Sequence, residues 1–325
     1  MDNFTIYKKT LCFSVRKLFF DLLMMVLIAV FCVGGFLIAD KTWDRGLIGL
    51  GAGLVIGAII AGILTHFMGY IYKAAQIAMM TRAVSEGDLP DDVYAEGKKA
   101  VKERFLTVAV FFAVTSAIKG IFNQIGRGIT ALGGAVGGDT GRGIGSAIST
   151  AIQIVVSYLC DCCLGWVFYR KDKGSVRATL EGAVLFFRHG KTLIRNVGRI
   201  FGIGLLSLLV IGGAFFGLSY FIFTFFGGAF TELGITVLET GARLDMNIPA
   251  WAGEANNLML IVAGIVGFTV WSFIHSNFIR PFILTGVLRN YIASGMNDVP
   301  TEDSFRILDG KSSKFAKLHA EAEKA

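Results

Sequence analysis

Long apolar runs alternate with short charged segments along this chain. Six of them, residues 18–39, 46–72, 105–122, 147–169, 200–226 and 258–286, lie near the roughly 20 residues that a helix needs to cross about 30 Å of hydrocarbon. In lipid a single segment satisfies its own backbone hydrogen bonds only as a helix, so the pattern predicts an all-α, polytopic membrane protein with six transmembrane helices. Proline occurs at positions 90, 249, 281 and 300, and Pro281 is the one that falls inside a run. The spans are therefore expected to be mostly unbroken, with Pro281 either kinking the sixth and freeing a carbonyl or marking its end.

Composition agrees with this solvent. Of the 325 residues, 54% are hydrophobic and 28 are Phe, a balance too apolar for an ordinary soluble domain. The formal net charge of +7 is unevenly spread. Lys8, Lys9, Arg16 and Lys17 precede the first run, Lys73 to Arg104 separate the second from the third, and Arg170 to Arg199 separate the fourth from the fifth. The alternate connections carry few cations, and residues 227–257 set Arg243 against Glu232, Glu239, Asp245 and Glu254. The positive-inside bias then predicts a multi-pass plasma-membrane protein with both termini cytoplasmic. The same cations are expected to meet anionic inner-leaflet lipid. They flank spans and lack accompanying stacking aromatics, so nucleic acid is not an expected partner.

The segment after the second run, HFMGYIYKAAQIAMMTRAVSEGDLPDD (66–92), has a counterpart after the sixth, HSNFIRPFILTGVLRNYIASGMNDVPTED (275–303). Each starts on a His, carries a cation (Lys73 or Arg280) and a later Arg (Arg82 or Arg289), and ends in a Ser/Gly/acid cluster with Pro. A basic approach also precedes each odd run, so the simplest architecture is three hairpins of two spans. Residues 175–195 place Val176, Leu180, Val184, Phe187 and Leu193 on one side and Arg177, Glu181, Arg188 and Lys191 on the other. That spacing predicts an interfacial amphipathic helix. Residues 91–104 are similar but more polar, and 301–325 form a polar cytoplasmic tail, helical or disordered.

Glycine supplies the sharpest local pattern. Gly49, Gly53, Gly57 and Ala61 fall four apart on the second run, a small-residue stripe that lets another helix approach closely. Gly133, Gly137, Gly141 and Gly145 repeat the spacing between the third and fourth runs, as a glycine-zipper helix or as a flexible loop. The zipper would also support a homo-oligomer.

Among polar groups, Asp161 lies deep in the fourth run, where a carboxylate is costly unless it is protonated, paired or wet. His275, Arg280, His66 and Lys119 are candidate partners; Asp161, His275, Arg280 and His66 form the expected solute or ion pathway. Cys160, Cys162 and Cys163 read as a reduced, buried set, because successive helical positions point them to different faces and not toward one metal. No metal or cofactor is expected. There is no GxxxxGK[ST], HExxH or GxSxG and no matched pair of carboxylates, so no catalytic function is expected.

The stretch GYIYKAAQIAMMTRAVSEGDLPDDVYAEGKKAVKERF (69–105) resembles bacterial and archaeal six-span membrane domains, including the type attached to some glycerophosphodiester phosphodiesterases. The likeness rests on Gly87, Leu89, Pro90, Asp91, Gly97 and Lys98. It implies a helical membrane domain and brings no established activity to transfer. Residues 162–196 are more faintly similar to choline-transporter-like proteins. The functional expectation is a channel or transporter-like protein for a small solute or ion. The alternative is a membrane scaffold or assembly subunit that binds a protein partner through basic cytoplasmic helices.

Overall fold

The computed structural model describes residues 1–43, 45–104, 116, 120, 139–243, 245–310 and 312–323. Among these, the regular elements are helices and there is no strand. In chain order they are α1 (Asn3–Trp43), α2 (Gly46–Ser85), α3 (Val93–Arg104), α4 (Asp139–Tyr169), α5 (Ser175–Ser207), α6 (Gly213–Thr224), α7 (Gly227–Arg243), α8 (Ala255–Ile274), α9 (Arg280–Asn297), α10 (Glu302–Asp309) and α11 (Ser313–Ala322). Four stretches are long and apolar enough to cross a membrane: Asn3–Trp43, Gly46–Ser85, Gly198–Thr224 and Ala255–Asn297. The run 105–122 and the glycines 133 and 137 lie outside the described residues, whereas 141 and 145 fall in the first turns of α4.

The chain divides into two compact units, residues 1–197 with 281–325, and residues 198–280. In the first, α1 and α2 form an antiparallel hairpin along a glycine seam. A Cβ on Gly49 or Gly53 would collide with the backbone of Gly35 or Phe31, and one on Gly57 would lie 3.0 Å from Phe31 Cβ. Gly51 and Gly62, on other faces of α2, have nothing within 4 Å. Small residues here let two backbones touch, which gains dispersion contact that lipid cannot replace.

At 1.5 Å per residue α1 and α2 are each about 60 Å long, twice the hydrocarbon thickness. What lies past the apolar run is a bundle with its own core. Ala74 to Met80 of α2, Tyr158 to Phe168 of α4 and Ile283 to Ile292 of α9 supply its centre, where Trp166, Tyr291, Ile77, Met80 and Leu288 are fully or almost fully buried. Each such side chain contributes about 1.5–3 kcal/mol relative to exposure. The helices meet at glycines. A Cβ on Gly165 of α4 would stand 2.5 Å from Leu288 of α9 and 3.0 Å from Thr81 of α2.

Three further segments wrap this centre. The start of α1 is fastened to α2 by Gln76, whose Nε2 donates to Thr10 O at 3.2 Å and Ser14 Oγ at 3.0 Å. It meets α9 through Tyr7 and Phe282, ring centroids 5.4 Å apart. The α3 helix sets Gly97 between Phe13, Ala75 and Met79. The first half of α5 lays Gly182 against Cys163 and Tyr291, and the Tyr291 hydroxyl donates to the Gly182 carbonyl at 2.5 Å. A non-helical His189 (φ −105°, ψ 17°) ends this half.

Two sequence expectations are corrected by this packing. The middle of the apolar side of 175–188 is covered by protein: Leu180, Ala183 and Val184 form one cluster with Phe305, Leu308 and Phe315 of α10 and α11, while Val176 is exposed. It is a core face and not a face laid on lipid, and the tail that covers it is folded into two short helices. Likewise the last turns of the 147–169 run are enclosed on every side, from Leu159 at 3% exposure to Cys163 and Val167 at 0%. A helix apolar all round belongs either in a membrane or in a large core, and composition alone does not separate the two.

The second unit is a helical hairpin. Its first arm runs through a π-turn, Leu208–Gly212, into α6; its second, α8, ends in another, His275–Ile279. The arms cross where a Cβ on Gly267 would meet Gly212 O at 2.7 Å and Phe216 N at 2.9 Å. The Trp271 indole donates to Ser207 Oγ at 3.0 Å beside the crossing. The amphipathic α7 joins the arms through a turn in which Asp245 has φ 54°. Pro281 sits at the second position of α9, after the π-turn that absorbs the misfit of its ring, inside a helix that continues to Asn297.

Candidate functional site in the helix bundle

The first unit concentrates its polar chemistry where α2 leaves its apolar run beside the second half of α4. Asp161 is 4% exposed, and its Oδ1 lies 2.5 Å from Lys73 Nζ. One turn further on, Ile77 and Thr81 pack on Gly165, which fixes the register that brings the two charges together. A buried carboxylate is tolerated in this way only when a cation and hydrogen bonds offset its lost hydration.

Lys73 was not among the partners the sequence suggested for Asp161. The signal that could have found it is periodic. Lys73, Asp161 and Arg280 each stand nine residues before an arginine, Arg82, Arg170 and Arg289, in the three segments that build the bundle centre. The four expected pathway residues divide between the units. Asp161 and His66 belong to the first, His275 and Arg280 to the second. Within the first unit His66 is exposed, its ring 5.0 Å from Tyr70, while Asp161 is enclosed. Within the second, His275 is half-buried with its ring 5.0 Å from Trp271.

A second buried acid escaped the sequence reading. Glu181, assigned there to the polar side of α5, is 4% exposed. Its Oε2 accepts from the Trp166 indole at 3.2 Å and pairs with Arg170 at 3.2 Å. Arg170 also grips Asp172 through two parallel bonds of 2.9 and 3.0 Å, closing the turn between α4 and α5. That hydrogen bonding from Arg170 holds the Asp172 carboxyl below its ordinary value.

Beside this turn a cleft of about 430 Å³ opens between α2, α3 and the end of α4. Its wall carries Arg82, Glu86, Glu96, Glu103, Arg104 and Lys171, three cations and three acids. Glu86 accepts from Arg82 at 2.9 Å and lies 3.7 Å from Lys171. Arg104 donates to the Arg170 carbonyl at 2.9 Å, and Ser175 Oγ donates back to Arg104 O at 3.2 Å. Burial lowers the pKa of Arg104, with Asp172 opposing the shift. The wall of the cleft thus carries cations and acids in equal number. Asp161 is held by its cation inside the bundle.

No protein-family model, no curated protein and no solved structure matches this chain.

Proposed function

We propose that this protein is a multi-pass membrane scaffold with both termini and the helix bundle on the cytoplasmic side, where the bundle holds a cytoplasmic protein partner in the charged cleft. The observation that carries this reading is where the packing lies. The apolar windows of the four long helices are only 11–22% buried, whereas the segments beyond them form a closed core with its acids paired. A bundle whose buried acids Asp161 and Glu181 are paired, opening a cleft of mixed charge at its surface, suits docking. The cations that flank the spans add attraction to anionic inner-leaflet lipid, about 1 kcal/mol for each one near the surface.

The test uses a photo-crosslinking amino acid at Ala100, on the cleft wall, in intact cells. A discrete protein adduct that is lost on Arg82→Glu with Lys171→Glu supports docking; an adduct pattern indifferent to those charges sinks it. A second reading, movement of an ion or small solute, is favoured by the Lys73–Asp161 pair at the level where α2 leaves its apolar run. Proteoliposomes separate the two: the scaffold reading expects no ion flux above empty vesicles, and flux abolished by Asp161→Asn would replace it with transport.

A further inference from the structure

We infer that Glu302, His319 and Glu323 form a binding site for a divalent first-row cation, with Zn²⁺ the best fit, at the face where α10 and α11 pack on α5. The inference is independent of the docking reading. His319 is 6% exposed, stacked 5.0 Å from the Phe305 ring and backed by Phe315 at 6.1 Å. Its Nδ1 is 3.0 Å from Asp309 Oδ2. A carboxylate only accepts, so Nδ1 carries the proton and the Nε2 lone pair faces the other way.

That Nε2 atom is buried and has no hydrogen-bond partner. It points instead at two further acceptors, Glu302 Oε2 at 3.6 Å and Glu323 Oε1 at 3.8 Å. A lone pair enclosed against two carboxylate oxygens is an arrangement that a cation between them makes favourable. The separations identify which kind. A hydrogen bond from a protonated imidazole would close to about 2.7–3.2 Å. Ligand atoms each about 2.0–2.2 Å from one tetrahedral metal stand roughly 3.3–3.6 Å apart; His319 to Glu302 meets this at 3.6 Å, and His319 to Glu323 is slightly wider at 3.8 Å. All three ligand atoms lie within 4.8 Å of one another.

The surroundings are those of a metal ligand set. His319 and Glu323 are four apart, one turn of helix, so both face the same point. Asp309 behind the imidazole fixes its tautomer and orientation, as carboxylates do behind metal-bound histidines. Arg177 takes Glu302 Oε1, which leaves Oε2 turned toward His319. One imidazole and two carboxylates, with room for water on the exposed glutamate side, suit Zn²⁺ with an open position and suit Mn²⁺ or Fe²⁺ less tightly. Bound there, the ion would clamp α11 to the start of α10.

The experiment titrates Zn²⁺ into the full-length protein, purified in detergent with no polyhistidine tag, by isothermal calorimetry and by competition with a fluorescent chelator. The expected result is one ion per chain. Glu323→Gln, on a side chain 63% exposed that holds nothing else together, is expected to weaken binding at least tenfold without altering helix content. Asp309→Asn is expected to weaken it 10- to 100-fold. Co²⁺ in place of Zn²⁺ should show ligand-field bands with no thiolate charge-transfer band. Absence of saturable binding, affinity within twofold of the parent after Glu323→Gln, or a thiolate band assigning the metal to the buried cysteines would each overturn the site.

Discussion

Adding a side chain at Gly165 puts new atoms 2.5 Å from Leu288 and 3.0 Å from Thr81, at the point where three helices converge. Gly165→Val is therefore expected to cost about 1–3 kcal/mol through overpacking, read as a lowered Tm in detergent. The Lys73–Asp161 pair makes a different demand. Asp161→Ala leaves Lys73 facing a low-dielectric core, and removing one partner of a buried pair costs about 3–5 kcal/mol. The lower end is expected here, because the Lys73 side chain keeps 26% exposure. Lys73→Met with Asp161→Leu should recover most of that loss. If the double variant is no more stable than Asp161→Ala alone, the pair is not coupled as described. At this scale the sequence is half legible. The cost of Asp161 follows from its apolar neighbours, but its partner lies on another helix whose register is set by Gly165. Glu181 was missed because a helical wheel divides two sides and does not say that protein covers both.

Helices and their stops were the most readable features, since only Gly87, with φ 77°, and Pro90 interrupt the chain after α2. The apolar run ends near residue 72, yet nothing at that point breaks a helix, so α2 continues for a further thirteen residues to Ser85. Hydropathy marks where lipid ends; backbone chemistry marks where the helix ends. On α2 itself, Gly53→Val should separate α1 from α2 and destabilise the hairpin by about 1–3 kcal/mol. Gly51→Ala, with open space around it, should be neutral or stabilising by up to about 1 kcal/mol through helix propensity. Thermal melts of the two variants check this contrast, and equal effects would remove the seam. At the α4–α5 turn the sign of the pH dependence is fixed. The folded-state pKa of Asp172 is depressed by Arg170, so its contribution is present above the ordinary aspartate value of about 3.9 and is lost as pH falls through the lower folded value. An NMR titration of the Asp172 carboxyl should show a midpoint below that of the same residue in Arg170→Met.

For the whole first unit, one bundle gathers residues that are far apart in sequence. Asp91, Lys173 and Glu321 all belong to it and are expected on the same side of the membrane, with Thr42, past the apolar run of α1, on the other. Single cysteines at these positions, in a background without native cysteines, should label with an impermeant maleimide in two groups accordingly. Asp91 and Lys173 labelling from opposite sides would dismantle the topology. The charge pattern along the sequence already sorts these segments to one face. It does not say that they fold onto one another, because pairing among buried faces is a property of shape and not of hydropathy.

The unbroken course of α1 and α2 has a mechanical consequence. Each is a single continuous helix, apolar over one part and built into the bundle over the other, and among the described residues neither contains a proline or a π-turn. A change in bilayer thickness that tilts or shifts the hairpin is therefore expected to be felt at Gln76, Gly97 and the wall of the cleft, which sit on or against the same continuous α2.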